Sequence, residues 1–204
     1  MPFKSDDAPD AGGFFQKLAE LYADMDRQYA DTAAAYGFYC AGCEDNCCRT
    51  RFFHHTHIEA AYLIHGLSCM DGSSYEAAVR RAREVRAAQE TGEPGSERLM
   101  CPLNVDGWCI LYPCRPMICR LHGLAHELRA PGKPKTYGPG CREFERVCGD
   151  RAYIPFDRTP FYIRMAALEQ EYKAYMGLTS RVRKTVAQII ADAGTTPTEA
   201  SNAQ

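Results

Sequence analysis

The chain has 204 residues, 46% of them hydrophobic and 25% charged, which describes a globular protein with a core of its own and excludes a disordered one. Its formal charge of −2, from 24 basic and 26 acidic residues, lacks the basic surplus of a dedicated nucleic-acid binder. The run Arg80, Arg81, Arg83, Arg86 is interleaved with Glu76, Glu84 and Glu90 and reads as a solvated helix face. No stretch approaches the ~18 apolar residues of a membrane span, and the opening Met-Pro-Phe-Lys-Ser-Asp-Asp has no apolar signal core. A cytoplasmic protein with no nucleic-acid or membrane partner is the expectation. Eleven cysteines are an odd number, and a reducing compartment disfavours disulfides, so metal binding is the leading use for them.

Residues 1–12 are polar and rich in Pro, Gly and Asp, so a flexible arm is expected there. From Phe14 an apolar stripe runs Phe15, Leu18, Tyr22, Met25, Tyr29, Ala33, Tyr36, the alternating spacing of three and four that buries one helical face. The same spacing continues onto Cys40, Cys43 and Cys47, but Gly37 and Gly42 predict a break near Gly37 and an irregular cysteine segment. Thr56-His-Ile-Glu59 has the form of a capping box before a helix of about 57–70, with Ala61, Ile64 and Leu67 turned inward. Ser73-Ser-Tyr-Glu76 is a second such box, for a helix of about 74–90 that Thr91-Gly-Glu-Pro-Gly ends. Asp106-Gly107 between two short apolar runs signals a hairpin. Pro116 suits the first turn of a short helix carrying Cys119 and Arg120. Residues 130–140 read as a loop. A helix after Thr159-Pro160 reaches about Met176 with a stripe at Phe161, Met165, Leu168, Tyr172 and Tyr175. A last helix of about 180–193 holds Val182, Val186, Ile189 and Ile190, and a disordered tail, 195–204, follows. The fold class expected is mainly α: a small single domain, 13–194, of about five to six helices with a short β-hairpin, built around a cysteine-rich metal site.

Thiolates are soft ligands that select zinc, copper(I) or iron–sulfur clusters over magnesium or calcium. Cys40-x2-Cys43 can place two sulfurs on one metal across a tight turn that Gly42 permits. Cys47 and Cys48 are adjacent, so one is expected to complete a local site while the other faces elsewhere. Cys101, Cys109 and Cys119 are spaced for a hairpin and the next helix, and they offer the remaining ligands. Cys101-Pro102 matches the proline that often follows a cluster ligand. Arg115 and Arg120 would lie beside the thiolates as cofactor-binding cations, offsetting charge and donating to sulfur. Cys69 reads as a small buried hydrophobe, and Cys114 and Cys148 read either way.

The run Cys40-x2-Cys43-x3-Cys47-Cys48, then Cys101-Pro-Leu, then Cys109-Ile-Leu-Tyr-x2-Arg115-Pro116-x2-Cys119-Arg120, resembles the YkgJ-type CxxCxxCC family of zinc- or iron-chelating proteins over about residues 40–145. The resemblance implies that Cys40, Cys43, Cys47, Cys48, Cys101, Cys109 and Cys119 are metal ligands, with Cys141 as an eighth. Cys114 lies outside the family pattern. Most of the family has no defined activity. Some relatives resemble iron–sulfur protein lysine methylases of flagellin, a function that does not carry over to a chain this short without further evidence.

Among the histidines, His54, His55 and His57 follow the first cysteine run, with His54 and His55 read as exposed polar residues. His122 and His126 sit one helical turn apart, close enough to share a metal if the segment is helical, although Gly123 weakens that helix. No P-loop, no Gly-x-Gly-x-x-Gly and no Gly-x-Ser-x-Gly is present, so ATP, dinucleotide and serine-hydrolase chemistry lack support. The expected function is metal binding through the cysteines, with an iron–sulfur cluster or iron in a redox or metal-handling role and zinc as the alternative. A protein partner or substrate would follow if the centre is catalytic. Eight thiolates suffice for one cubane cluster and a second metal, or for two zinc sites.

Overall fold

A computed structural model describes residues 13–40, 47–92 and 94–194. The expected arm at 1–12, the tail at 195–204, Gly42 and Cys43 lie outside the described residues. The stripe from Phe15 onward forms α1 (Phe14–Ala35), which buries Leu18, Leu21, Tyr22 and Met25. It stops where Gly37 turns to φ 58°, a left-handed conformation that residues with a β-carbon avoid. Next come α2 (His57–Ser68) and α3 (Gly72–Thr91). A hairpin of β1 (Asn104–Val105) and β2 (Trp108–Cys109) leads into α4 (Met117–Leu121). A second hairpin pairs β3 (His126–Arg129) with β4 (Lys135–Gly138). The chain then forms α5 (Arg142–Cys148), α6 (Thr159–Met176) and α7 (Val186–Ala193).

Two apolar cores share these elements. In the first, Leu18, Tyr22 and Met25 of α1 meet Leu121, Phe144 and Met165 from α4, α5 and α6. In the second, Ala82 of α3 and Ile189 and Ile190 of α7 close on Leu103 and Leu111. Helix α2 joins them, giving Ile58 to the first core and Leu63 and Leu67 to the second. Burying each of the Leu, Ile, Phe and Met side chains among these contributes about 1.5–3 kcal/mol. The segment 101–121 crosses the seam, since Leu103 and Leu111 belong to one core and Met117 and Leu121 to the other.

The mainly helical class with a short hairpin is what the sequence leads one to expect, but details differ for physical reasons. There are seven α-helices among the described residues, α5 being additional. The Pro- and Gly-rich stretch 130–140 holds a strand, because Lys135–Gly138 finds a ladder partner in His126–Arg129. Thr56 and Glu59 do not form a capping box. The α2 amides of His57 and Ile58 donate instead to the Glu169 carboxylate of α6, at 2.9 and 3.1 Å. Glu59 is buried and accepts from Thr56 Oγ1 (2.6 Å), Tyr22 Oη (3.1 Å) and the Met117 amide (2.7 Å), so it ties α1, α2 and α4 together. Helix α3 is capped by Asp71, whose Oδ1 accepts from the Ser74 amide at 2.9 Å, rather than by Ser73. Helix α7 starts at Val186, after a capping box of Thr185 and Gln188, and not near 180. Ile64 and Tyr175 face outward, while Leu63 takes the inward place expected of Ile64. No helix among the described residues is long and apolar enough to cross a membrane.

Candidate metal centre

The first cysteine pair sits on a single 3-10 turn, Cys47–Arg49. Its exit is tied to the second cysteine segment by a backbone bond from the Cys101 amide to the Cys48 carbonyl, 2.9 Å. Beyond Cys101 the chain folds back at once. The Asn104 amide donates to the Cys101 carbonyl and the Ile110 amide to the Leu103 carbonyl, each at 2.9 Å. Asp106 and Gly107, with φ of 51° and 88°, make the two-residue turn, and Asn104 pairs with Cys109. Cys119 comes from α4, whose start is fixed by Pro116 and by Glu59. Cys47, Cys48, Cys101, Cys109 and Cys119 thereby line one cavity of about 100 Å³. Cys47 and Cys48 do not diverge as adjacency suggests, because the 3-10 turn presents both to the same space.

The electrostatics of these thiols follow from their crowding. Cys47 hydrogen-bonds Cys48, and that bond, helped by Asn104 and the Arg115 guanidinium, brings Cys48 down to about 6. The same bond, with burial, pushes Cys47 up. Burial raises Cys101 to about 12, opposed by the amides of Leu103 and Asn104, which donate to its sulfur. Cys109 is also raised by burial, opposed by the Leu111 amide. Cys119 is pushed up by burial first and then by its neighbours Cys101, Cys109 and Cys48. These sulfurs resist ionising together, and a metal cation among them would remove that resistance. Amides aimed at sulfur stabilise the thiolate form that binds metal. The donor set therefore fits a thiophilic metal or an iron–sulfur cluster.

The remaining residues expected at the site divide. Arg115 lines the cavity, its guanidinium 3.8 Å from the Tyr112 ring centroid and its Nη2 3.8 Å from Asp26. Arg120 does not reach the cavity. Only 3% exposed, it donates to the carbonyls of Arg115 (2.8 Å) and Pro113 and to Asp26 Oδ2 (2.5 Å), and it stacks on Tyr22. It fixes the bend between Cys114 and α4 and so acts on the site by holding Arg115 and Cys119 in place. Cys40 is exposed, and Cys141 caps α5, its sulfur accepting from the Phe144 amide at 3.4 Å. Both act on the Tyr29 phenol, whose pKa burial raises first, and so does Cys47, on which Cys40 also bears.

Three cysteines have other company. Cys114 bonds the Tyr62 hydroxyl and lies against Gly66, where an added β-carbon would stand 2.5 Å from its sulfur. Cys148 is buried in the first core, 3.8 Å from the Tyr36 carbonyl. Cys69 is exposed at the end of α2 rather than buried as its apolar helix suggests. The ten cysteines among the described residues are all thiols.

The histidines lie elsewhere than the sequence suggests. His122 lines the cavity, edge-on to Phe52 with centroids 5.2 Å apart. His126 begins β3, so the two do not share a helix face. His54 is only 3% exposed, not a surface residue. Its backbone pairs with Lys184 at 2.8 and 3.1 Å, its ring lines the cavity, and burial lowers its pKa to about 4. Nothing local to residues 51–57 announces this, because the partner is 130 positions away in the chain.

Among the described residues, no three Cys, His, Asp or Glu side chains already meet at coordinating distance. Comparison with family models, with curated proteins and with solved structures finds no match for the chain.

Proposed function

We propose that this chain is a metal-binding protein of the kind its cysteine pattern resembles, holding iron, as an iron–sulfur cluster or as the ion, in a redox or metal-handling role. The observation that carries the reading is the convergence of Cys47, Cys48, Cys101, Cys109 and Cys119, from three separate segments, on one cavity. These five would supply the ligands, and Cys40, Cys43 and Cys141 would serve a further metal or complete the set. A bound cluster would supply one-electron chemistry whose potential depends on hydrogen bonds to sulfur and on solvent exposure. The chain's own part is to aim the Leu103, Asn104 and Leu111 amides at two of the sulfurs, to place Arg115 beside them and to keep the far wall apolar. A reducing, cytoplasmic compartment belongs to this reading, since the thiols must stay unbridged.

A structural zinc site is the second reading, and the Cys101–Cys48 backbone bond favours it, because a metal there would staple two loops already held in register. Anaerobic purification with metal and sulfide analysis separates the two. Iron with acid-labile sulfide and broad absorbance near ~400 nm is expected for a cluster. A colourless protein with stoichiometric zinc would leave the structural reading in its place.

A further inference from the structure

The cysteines occupy only part of the cavity wall. The rest is apolar, from Phe52, Val85, Leu99 and Val186, and it carries polar atoms that the fold leaves unmatched. Six buried side-chain nitrogen or oxygen atoms among the described residues lack a hydrogen-bond partner, and Arg51 Nε, Arg115 Nε and His54 Nε2 belong to residues lining this cavity. Buried polar nitrogens are normally satisfied, so three such residues around one space point to a ligand that satisfies them. An apolar cavity with a few convergent polar groups is the usual form of a small-molecule site.

The chemistry of that ligand follows from the cations. Arg115 bears on Cys48, Cys109 and Cys119, which accounts for its charge. Arg51 has no such role. Its guanidinium lies 5.4 Å from the Phe53 ring centroid and that of Arg183 lies 3.8 Å from the same centroid, and neither forms an ion pair among the described residues. Both cations thus stand beside Phe53, the chain neighbour of the cavity residue Phe52, with no carboxylate of the described residues offsetting them. The neighbouring Lys184 is matched, at 2.7 Å from Asp192, so the unmatched cations here are Arg51 and Arg183. Guanidinium recognises carboxylate and phosphate through paired N–H donors.

We propose that the mouth of the cysteine cavity binds a small organic molecule by a terminal oxyanion, a carboxylate or phosphate held by Arg51 and Arg183, with its apolar body lying against Phe52, Val85 and Val186. This site shares the cavity of the metal centre but goes beyond it, because Arg51 and Arg183 are not among the metal ligands.

Titration calorimetry on the full chain as purified, at low ionic strength, tests this with three probes: inorganic phosphate, pentanoate and pentylamine. One of the two anions binds in the millimolar range or tighter, and which one identifies the oxyanion. Arg183→Gln, an exposed change that leaves folding intact, weakens that anion at least fivefold, and Arg51→Gln weakens it at least tenfold with Arg51→Lys restoring part of the loss. Metal content per chain stays at the wild-type value in all three variants. Absence of binding by both anions, equal binding of pentylamine, or unchanged anion affinity in Arg51→Gln and Arg183→Gln would each overturn the proposal. Loss of metal in Arg51→Gln would overturn it too, by assigning that cation to the cysteine centre, and would leave the metal reading standing.

Discussion

The wall of the cavity and the outer flank of α2 both carry cysteines, and burial raises the thiols of both, yet different groups surround the sulfurs. At the cavity, Cys101 and Cys109 receive backbone amides, and Arg115 stands beside the group. On the flank, Cys114 is wedged under Gly66 against Tyr62, and Cys69 ends the helix in solvent. Further in, Cys148 points its thiol at a carbonyl. Amides and cations favour an anionic sulfur, whereas a carbonyl and close packing favour a neutral thiol. On the proposed reading, the company of each sulfur, and not its spacing alone, separates a ligand from a packing residue.

The largest effect that would break this contrast is on metal content. Cys109→Ser is expected to lose metal about tenfold or more, whereas Cys69→Ser keeps the wild-type amount, read by elemental analysis of anaerobically purified protein. Equal losses would erase the distinction between the regions.

Next in size is an acid effect on the cavity wall. His54 holds its folded pKa at about 4, below the ordinary 6.5, because burial disfavours its charge. The unfolded chain therefore takes up a proton that the folded chain refuses as pH falls through 6.5 toward 4. Stability from this group is complete above about pH 6.5 and declines by about 3 kcal/mol by pH 4. Urea unfolding of wild type and His54→Gln between pH 7 and 4.5 should show a steeper loss in the wild type, and parallel curves would count against the burial.

On the flank, Gly66→Ala forces a β-carbon onto the Cys114 sulfur and should cost about 1–3 kcal/mol. Adding Cys114→Ala should recover most of that, measured as a double-mutant cycle by denaturant unfolding. Additive losses would show that Gly66 is not there for Cys114. The smallest effect is at Thr185, which caps α7 on the cavity wall by accepting from the Gln188 amide at 3.2 Å. Thr185→Ala should cost about 1 kcal/mol and leave metal content unchanged.

Legibility in the sequence follows how local each cause is. The α1 stripe, its end at Gly37 and the Asp106-Gly107 turn depend on neighbours a few residues apart, and all three form where the pattern places them. Thr56 and Glu59 have the spacing of a cap but serve distant groups, Glu59 holding α1 and α4 while Glu169 caps α2. Lys135–Gly138 becomes a strand only because His126–Arg129 lies alongside it. At the site, the cysteine pattern named eight residues, of which Cys47, Cys48, Cys101, Cys109 and Cys119 line the cavity, while Cys40 and Cys141 do not and Cys43 lies outside the described residues. It could not show that Arg120 is spent on Asp26 and two carbonyls, nor that Lys184 draws His54 inside. Arg115 and Arg120 look equivalent in the motif, and only their partners tell them apart.

Sulfur at the cavity is the proposed ligand of the metal, and X-ray absorption at the metal edge of the anaerobically purified protein reads that directly. A first shell dominated by sulfur, at ~2.3 Å and with about three to four scatterers per metal, is the expected result. A first shell of oxygen and nitrogen alone would contradict it.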